Sequence, residues 1–410
     1  MKSAGQTKIL APVCAPGRGK RASTTLSILV NRDWFFLSHF LDRALFAKRA
    51  GYHVAVICQD TGHANQITAA GLEHIALDMR RHSASPWGLL RSYNEVKKIY
   101  RDLHHTVVWH IGLMSIVSGT PAAQFSGIRG IVNAPVGMGW VFSSGGIKAM
   151  LLRPFLRLAL RALLNPRGSK AVFENIDDLN EMVALRAVHA KDAVLIRGAG
   201  VDLVRYTASA EPDSVAVVLF AARLIWEKGV REFVEAARLL SAKGIEARFQ
   251  IAGGIDWDSS SAVPEEQMRA WADEGIVEWL GPRQDMPQVI TTCHIFCLPS
   301  WYREGLPKVI LEAMACGRAV VTTDMPGCRE AVGHDDNGLL VPPRDVRALA
   351  DALQTLLCDS RQRQRYGQRG RERAETEFSS EQVCRQTLAV FDQIAGVRDH
   401  CPARSAQRPR

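Results

Sequence analysis

The residues best suited to chemistry are four charged side chains in the second half of the chain. Arg223 and Lys228 stand five positions apart in Ala222-Arg-Leu-Ile-Trp-Glu-Lys-Gly229, directly after an apolar run. Two cations so spaced in a loop after a strand can clamp a diphosphate, the arginine bidentately and the lysine as a point charge. Glu304 and Glu312 stand eight positions apart in PSWYREGLPKVILEAMACGRAVVTT, residues 299–323. Before them Ile295–Leu298 reads as a buried strand, and Pro307 suits the first helical position, where its fixed φ fits and no N–H is needed. The helix, through Val309, Ile310, Ala313 and Met314, stops at Gly317, and Ala319–Thr322 begins another strand. Strand, elbow, helix and strand form a parallel βαβ crossover. Glu304 then lies at the carboxyl end of a strand, beside a helix N-terminus able to hold an anion, and Glu312 about two turns inside the helix. Taken singly, these residues fit a plainer arrangement: a solvated Lys308–Glu312 pair, a loop glutamate, and a loop in which Glu227 pairs locally. Their joint occurrence favours the chemical reading.

Holding such groups requires two runs of strand–helix alternation. In the first, Leu26–Val30, His53–Cys58, Gly71–Leu77, Thr106–His110, Ile131–Asn133, Ala171–Phe173 and Ala193–Ile196 read as strands. One helix passes through Phe40, Leu41 and Leu45 to Gly51, and another covers Leu89–Leu103. The second run has strands at Val215–Ala221, Ala247–Ala252, Ile276–Leu280, Ile295–Leu298, Ala319–Thr322 and Leu339–Val341, with helices at Gly229–Leu240 and Arg347–Leu357. The pattern predicts an α/β fold of two doubly wound parallel-sheet domains, with ligands at the carboxyl ends of both sheets. The expected organisation is a disordered basic segment 1–22, a first domain 23–206, a linker 207–214, a second domain 215–379, a last helix 380–396 and a basic tail 397–410.

With Gly305 and Ala313 following the two glutamates, and Arg223 and Lys228 upstream, the chain resembles the retaining GT-B glycosyltransferases of family 4, which carry two glutamates separated by seven residues. The resemblance covers residues 27–395 and is strongest over 220–343. It implies two Rossmann-like domains facing a cleft, with the C-terminal helix returning to the first. It also implies transfer of a hexose or N-acetylhexosamine from a nucleoside-diphosphate sugar, expected to be a UDP-sugar, with retention of configuration. At the matching positions Arg223 and Lys228 hold the diphosphate and stabilise the leaving group. Glu304 bonds donor-sugar hydroxyls, with the Gly305 and Leu306 amides beside it, and Glu312 holds the ribose. His110, ending the strand Val107–His110, fits by itself a packed or capping residue, but it matches the family histidine that reaches the donor sugar from the opposing domain. The family's Lys-Pro after it is replaced here by Ile111-Gly-Leu-Met114. Gly253 permits close backbone approach to the donor, and Arg283 adds positive charge near the phosphates; each also fits a plain turn or a solvated cation. No cofactor or metal is implied, because cations already face the phosphates. Asp256-Trp-Asp258 has the letters of a metal motif but reads as solvated acids in a polar loop.

Asn31–His39 and Gly137–Phe142 resemble loops of the capsule, exopolysaccharide and O-antigen subgroup. This places Trp34, Gly137 and Gly139 near the acceptor, a polyprenyl-diphosphate-linked saccharide. Phe173–Leu179 matches the same subgroup, and Asp177 or Asp178 suits the cap of the following helix. Two other classes fit a similar nucleotide site: a GT-B UDP-sugar 2-epimerase and a non-catalytic nucleotide-sugar-binding protein. The first needs acid/base residues in the cleft and no lipid acceptor; the four charged residues argue against the second.

Charge is consistent with an anionic partner for the first half. Of 410 residues, 51 are Lys/Arg and 42 Asp/Glu, giving +9. Residues 1–205 hold 26 basic against 13 acidic, hence +13, and the remainder 25 against 29, hence −4. No acid occurs between Asp102 and Glu174. No recognition motif points to nucleic acid. In Ile147–Leu164, Arg153, Arg157 and Arg161 form one helical stripe, and Leu152, Leu156, Ala159 and Leu163 another, with Phe155 and Leu158 beside it. Such a helix suits an anionic membrane surface, at about 1 kcal/mol per basic residue near the headgroups, and equally a core helix with an arginine-coated outer face. With no apolar stretch of spanning length and no secretory core in 1–22, the expectation is a cytoplasmic protein at the inner face of the plasma membrane. Cys293 and Cys297 read as core thiols, not ligands.

Overall fold

The computed structural model describes residues 24–78, 86–102, 106–136, 158–257 and 259–396. The first domain is a seven-stranded parallel sheet in the order β3-β2-β1-β4-β5-β6-β7. Its strands are β1 (Thr25–Arg32), β2 (His53–Gln59), β3 (Glu73–Ala76), β4 (Val107–Ile111), β5 (Gly130–Ala134), β6 (Lys170–Phe173) and β7 (Ala193–Leu195). The second is a six-stranded parallel sheet in the order β10-β9-β8-β11-β12-β13. It contains β8 (Val217–Ala221), β9 (Arg248–Ala252), β10 (Glu278–Gly281), β11 (Ile295–Leu298), β12 (Ala319–Thr323) and β13 (Gly338–Val341). Helices cover both faces, so central strands such as VVLFA, IFCL and AVVTT are buried end to end. Continuous apolar runs, unlike alternating ones, are what two-sided burial demands. Cys293 and Cys297 are both buried in that core.

In each sheet the order reverses at one point, between β1 and β4 and between β8 and β11. The loops leaving these strands diverge there and open a crevice. Arg223 follows β8 and Glu304 follows β11, so the sequence motifs flank the switch point of the second sheet.

The helix expected through Phe40, Leu41 and Leu45 to Gly51 is observed as Leu41–Arg49, and Phe40, whose φ of −126° leaves helical space, separates it from a preceding helix Asp33–His39. The Phe40 ring instead packs edge-on to Trp109, 5.3 Å between centroids. Pro307 caps the helix Lys308–Ala315 from just outside rather than opening it. Gly317, at φ +74°, terminates it as expected. The chain crosses back to the first domain where Val201 N–H donates to Phe378 O and Ser380 N–H to Val201 O, both at 2.9 Å. Helix Ser380–Ala395 then lays Val383, Val390 and Phe391 into the first domain's core. Phe391 meets Trp109 edge-on at 5.3 Å, and Tyr52 OH donates to Asp392 at 2.8 Å. The aromatic contact contributes about 0.5–1.5 kcal/mol beyond its buried area.

Candidate active site in the cleft

The second domain's site is built by fastening the β8 loop to the β11 elbow. Trp301 and Tyr302 N–H donate to the Glu227 carbonyl at 2.9 and 3.1 Å, and Ser300 Oγ lies 3.3 Å from it. Gly229 makes the contact possible: its φ is +81°, and a Cβ there would lie 2.1 Å from the Pro299 carbonyl oxygen. The backbone thus places Lys228, only 8% exposed, against Glu304, and the two form an ion pair. Ser300 Oγ donates to the other Glu304 oxygen at 3.1 Å. A lysine and a glutamate so paired satisfy each other's charge in a partly buried site.

Arg223 stands at the front of the same loop. Its guanidinium pairs with Asp256, and it lies 5.7 Å from the ring centroid of Trp34, which belongs to the other domain. Asp256 is therefore an ion-pair partner of a candidate ligand-binding arginine, not the solvated acid expected from its loop. Gly253 has a definite task here. A Cβ on it would lie 2.0 Å from the Ala222 oxygen, so only glycine lets the end of β9 close against the Arg223 loop. Leu224 N–H completes the contact by donating to Gly254 O at 3.0 Å. Arg283 is exposed and forked onto Asp285 at 2.9 and 2.5 Å, so its charge is spent locally. Beside it, Arg205, Gln284, Asp285, Pro287 and Gln288 line an open cavity.

Glu312 is buried, accepting a hydrogen bond from Tyr206; burial raises its pKa despite that bond and nearby Lys308 and Arg205. Gly305 and Leu306 are buried at the elbow, where Gly305 lies against the Glu174 carboxylate of the first domain. Burial pushes Glu174 up to about 7; Arg43 opposes this, and Asp178 and Glu304 add to it.

A polar clasp near the elbow joins the domains, and nothing in the sequence announced it. Asn175 Nδ2 donates to the Gly305 carbonyl at 2.7 Å. Ile176 N–H and Arg197 both donate to Glu330, at 3.1 and 2.5 Å. Arg303 reaches across to Asp178 and Glu181. Asp177 and Asp178 do not cap the helix Ile176–Ala184: Asn175 does, accepting from Asp178 N–H at 2.8 Å.

On the first domain's side, Asp33 accepts bonds from the N–H groups of Trp34, Thr61 and His63 and from the Thr61 hydroxyl. Burial pushes this carboxyl up, but those bonds outweigh it and leave its pKa below the usual range. They fix Trp34 at the mouth of the cleft.

His110 is not there. The pleat of β4 turns its ring into the helix layer, where it is fully buried. Nδ1 lies 2.8 Å from Asn133 Oδ1 and 3.2 Å from Thr120 Oγ1, and Nε2 lies 3.0 Å from Tyr100 OH. A Cβ on Gly119 would come within 2.6 Å of the ring. Burial pushes the imidazole down to about 4, with the Asn133 bond opposing. With both nitrogens taken by core groups, His110 is a structural residue, and its assignment to the donor sugar is corrected.

Gly137, Gly139, Arg153 and Arg157 lie outside the described residues. Arg161 is described and exposed. In its turn Leu160 and Leu164 are buried, whereas Leu158 is 68% exposed and Ala159 is also exposed. The inward face is thus Leu160 and Leu164, with Leu163 partly buried against the same core; Ala159, of the expected apolar stripe, is exposed, and Leu158 joins Arg161 outside. Among the described residues no helix is long and apolar enough to cross a membrane, and no cluster of three or more His, Cys, Asp or Glu is placed to hold a metal.

Known proteins share this arrangement. Residues 215–359 match the family described as glycosyl transferases group 1, and residues 26–165 the family described as glycosyl transferase 4-like. The N,N'-diacetylbacillosaminyl-diphospho-undecaprenol alpha-1,3-N-acetylgalactosaminyltransferase of Campylobacter jejuni is 28% identical over 354 residues, 83% of this chain and 91% of that protein. The putative colanic acid biosynthesis glycosyltransferase WcaL of Escherichia coli is 29% identical over 50% of this chain and 52% of its own. Among solved structures, a glycosyltransferase from Rickettsia africae superposes with a TM-score of 0.72 at 15% identity, covering 92% of this chain and 99% of that one. Anabaena HepE in complex with UDP and glucose superposes with a TM-score of 0.72 at 19% identity, covering 90% and 99%. Matched across both domains and built on two parallel sheets with their switch points at one cleft, the chain belongs to the GT-B glycosyltransferases of family 4.

Proposed function

We propose that the protein transfers a hexose or N-acetylhexosamine from a UDP-sugar to a polyprenyl-diphosphate-linked saccharide during surface-polysaccharide assembly. The observation that carries this reading is the cation set at the second sheet's switch point: Lys228 paired with Glu304, and Arg223 at the cleft mouth. The name of the Campylobacter relative supports the acceptor class, that of the Escherichia relative supports surface-polysaccharide assembly, and the UDP complex of HepE supports the nucleotide.

In this reading the diphosphate takes Arg223 from Asp256 and Lys228 from Glu304. The released Glu304 carboxylate accepts bonds from donor-sugar hydroxyls, and Glu312 bonds the ribose. The acceptor hydroxyl attacks the anomeric carbon on the face the diphosphate leaves. The anomeric C–O bond breaks, the glycosidic bond forms with retained configuration, and the acceptor's proton passes to a leaving phosphate oxygen. Arg223 and Lys228 balance the charge that develops on the diphosphate, a contribution of about 10²–10³ in kcat for one such group. No metal ion is required in this scheme. Exposed Leu158 and Arg161, on a strongly basic half, support docking on an anionic membrane where a lipid-linked acceptor resides.

The test is a donor screen with UDP-, GDP- and ADP-sugars and extracted polyprenyl-linked saccharides, read as nucleotide release. Acceptor-dependent release from a UDP-sugar is the expected result. Epimerisation of a UDP-sugar without acceptor would replace this reading with the 2-epimerase, and binding without turnover would leave a nucleotide-sugar-binding protein.

A further inference from the structure

We propose that His39 is the first-domain imidazole that hydrogen-bonds the sugar end of the donor, the position that His110 does not occupy; the inference rests on the function proposed above. His39 ends the seven-residue helix Asp33–His39. Both ends of that helix touch cations of the donor domain. At its start Trp34 lies against Arg223, 5.7 Å from guanidinium to ring centroid. At its end the Ser38 carbonyl accepts a bond of 2.7 Å from Lys308, the first residue of the helix after the Glu304 elbow. His39 therefore sits on the helix that spans the flanks of the Lys228–Glu304 pair.

The ring is fixed in place by its neighbours. Nδ1 lies 2.6 Å from Ser38 Oγ, and the Phe35 ring tilts against it at 4.7 Å. A second bond joins the ring to the Phe35 backbone. Burial, with Lys308, Arg43 and Lys228 as the neighbouring charges, pushes the imidazole down to about 3 against an opposing bond to Phe35. It is thus a neutral hydrogen-bonding group facing cations that an incoming diphosphate would neutralise. A neutral imidazole there can bond a sugar hydroxyl without competing with the lysines for the phosphates. The other described histidines near this cleft are otherwise engaged: His63 lies 3.9 Å from Asp33, and His110 is in the core.

The experiment measures kcat and KM with the donor found in the screen, and UDP affinity by calorimetry, for the full-length wild type, His39→Ala, His39→Gln and His110→Gln. UDP lacks the transferred sugar, so its affinity separates a contact to that sugar from damage to the nucleotide and phosphate site. His39→Ala should lose about tenfold or more in kcat, as one lost transition-state hydrogen bond implies, while UDP affinity stays within about threefold. His39→Gln, with an amide to replace the ring, should recover part of that loss, and His110→Gln should keep its activity per folded molecule. Cooperative thermal melts identify the variants that fold; if His39→Ala does not, a loss in His39→Gln with unchanged UDP affinity carries the test. An active wild type whose His39 variants turn over normally, or lose UDP affinity as much as kcat, overturns the assignment. A wild type that turns over no donor removes the proposed function, and this inference with it.

Discussion

The two sheets place polar residues near equivalent switch points and use them in opposite ways. In the first, His110 sits within β4, and Asn133, Thr120 and Tyr100 occupy both ring nitrogens. In the second, Lys228 and Glu304 sit on loops beyond the strands and hold each other across the opening of a crevice. A residue inside a buried parallel strand faces one helix layer or the other, so its polar atoms must be satisfied by the core. A residue past the strand's end can exchange a protein partner for a ligand. Nearness to a switch point does not separate the two cases; the pleat and the partners do.

The contrast is broken most directly by changing the exchangeable pair. Lys228→Ala and Glu304→Gln should each reduce transfer by about 10²–10³ while the thermal melt stays cooperative. Retained activity in both would remove the site from the second domain. Next in size is the pair at the cleft mouth. Arg223→Ala should weaken UDP binding by about tenfold, the cost of a lost charge-assisted contact, whereas Asp256→Asn should tighten it a few-fold by releasing the arginine. Calorimetry with both variants separates a competing carboxylate from one that merely positions Arg223, since the latter predicts weaker binding in each.

The core side of the contrast is a matter of stability. His110→Leu leaves Asn133 and Tyr100 without their ring partners and should lower stability by about 1–3 kcal/mol, seen as a lower Tm. It should also change the acid response. The folded imidazole titrates at about 4, well below its ordinary 6.5, because it is buried. Between those values the unfolded chain binds a proton that the native chain does not, so this stabilisation is full above about pH 6.5 and is lost as pH falls toward 4. Glu174, raised to about 7, acts in the opposite sense: its native form holds a proton that the unfolded chain releases as pH rises. His110→Leu should therefore lose less stability than the wild type on going from pH 6.5 to 4. An equal loss in denaturant melts would contradict the network described. The smallest effect expected is at the outer surface, where Arg161→Glu should weaken sedimentation with anionic liposomes by about 2 kcal/mol or less.

How far the sequence carried depended on whether the information was local. The βα rhythm, the Gly317 stop and the loop cations are all marked by neighbours in the chain. The helix Leu113–Phe125 lacks such a mark: it is apolar on most sides and contains Pro121, so no amphipathic stripe distinguishes it. Pairings across long separations are equally silent. Arg223 and Asp256 are 33 positions apart, and the Lys308–Ser38 contact spans 270. His110 misled for the same reason: its position at a strand's end is local, but Tyr100 and Asn133, which decide where the ring points, come from a helix and a neighbouring strand.

If the second domain's cleft face binds a nucleoside diphosphate through exchangeable ion pairs, removing both cations must abolish that binding. UDP calorimetry on the wild type and on the Arg223→Ala/Lys228→Ala double variant tests it with no assumption about the sugar or acceptor. The wild type should bind UDP, and the double variant, still melting cooperatively, should lose about 100-fold or more in affinity, the sum of two charge-assisted contacts. Equal binding by the two proteins, or no binding by the wild type at millimolar UDP, would contradict it.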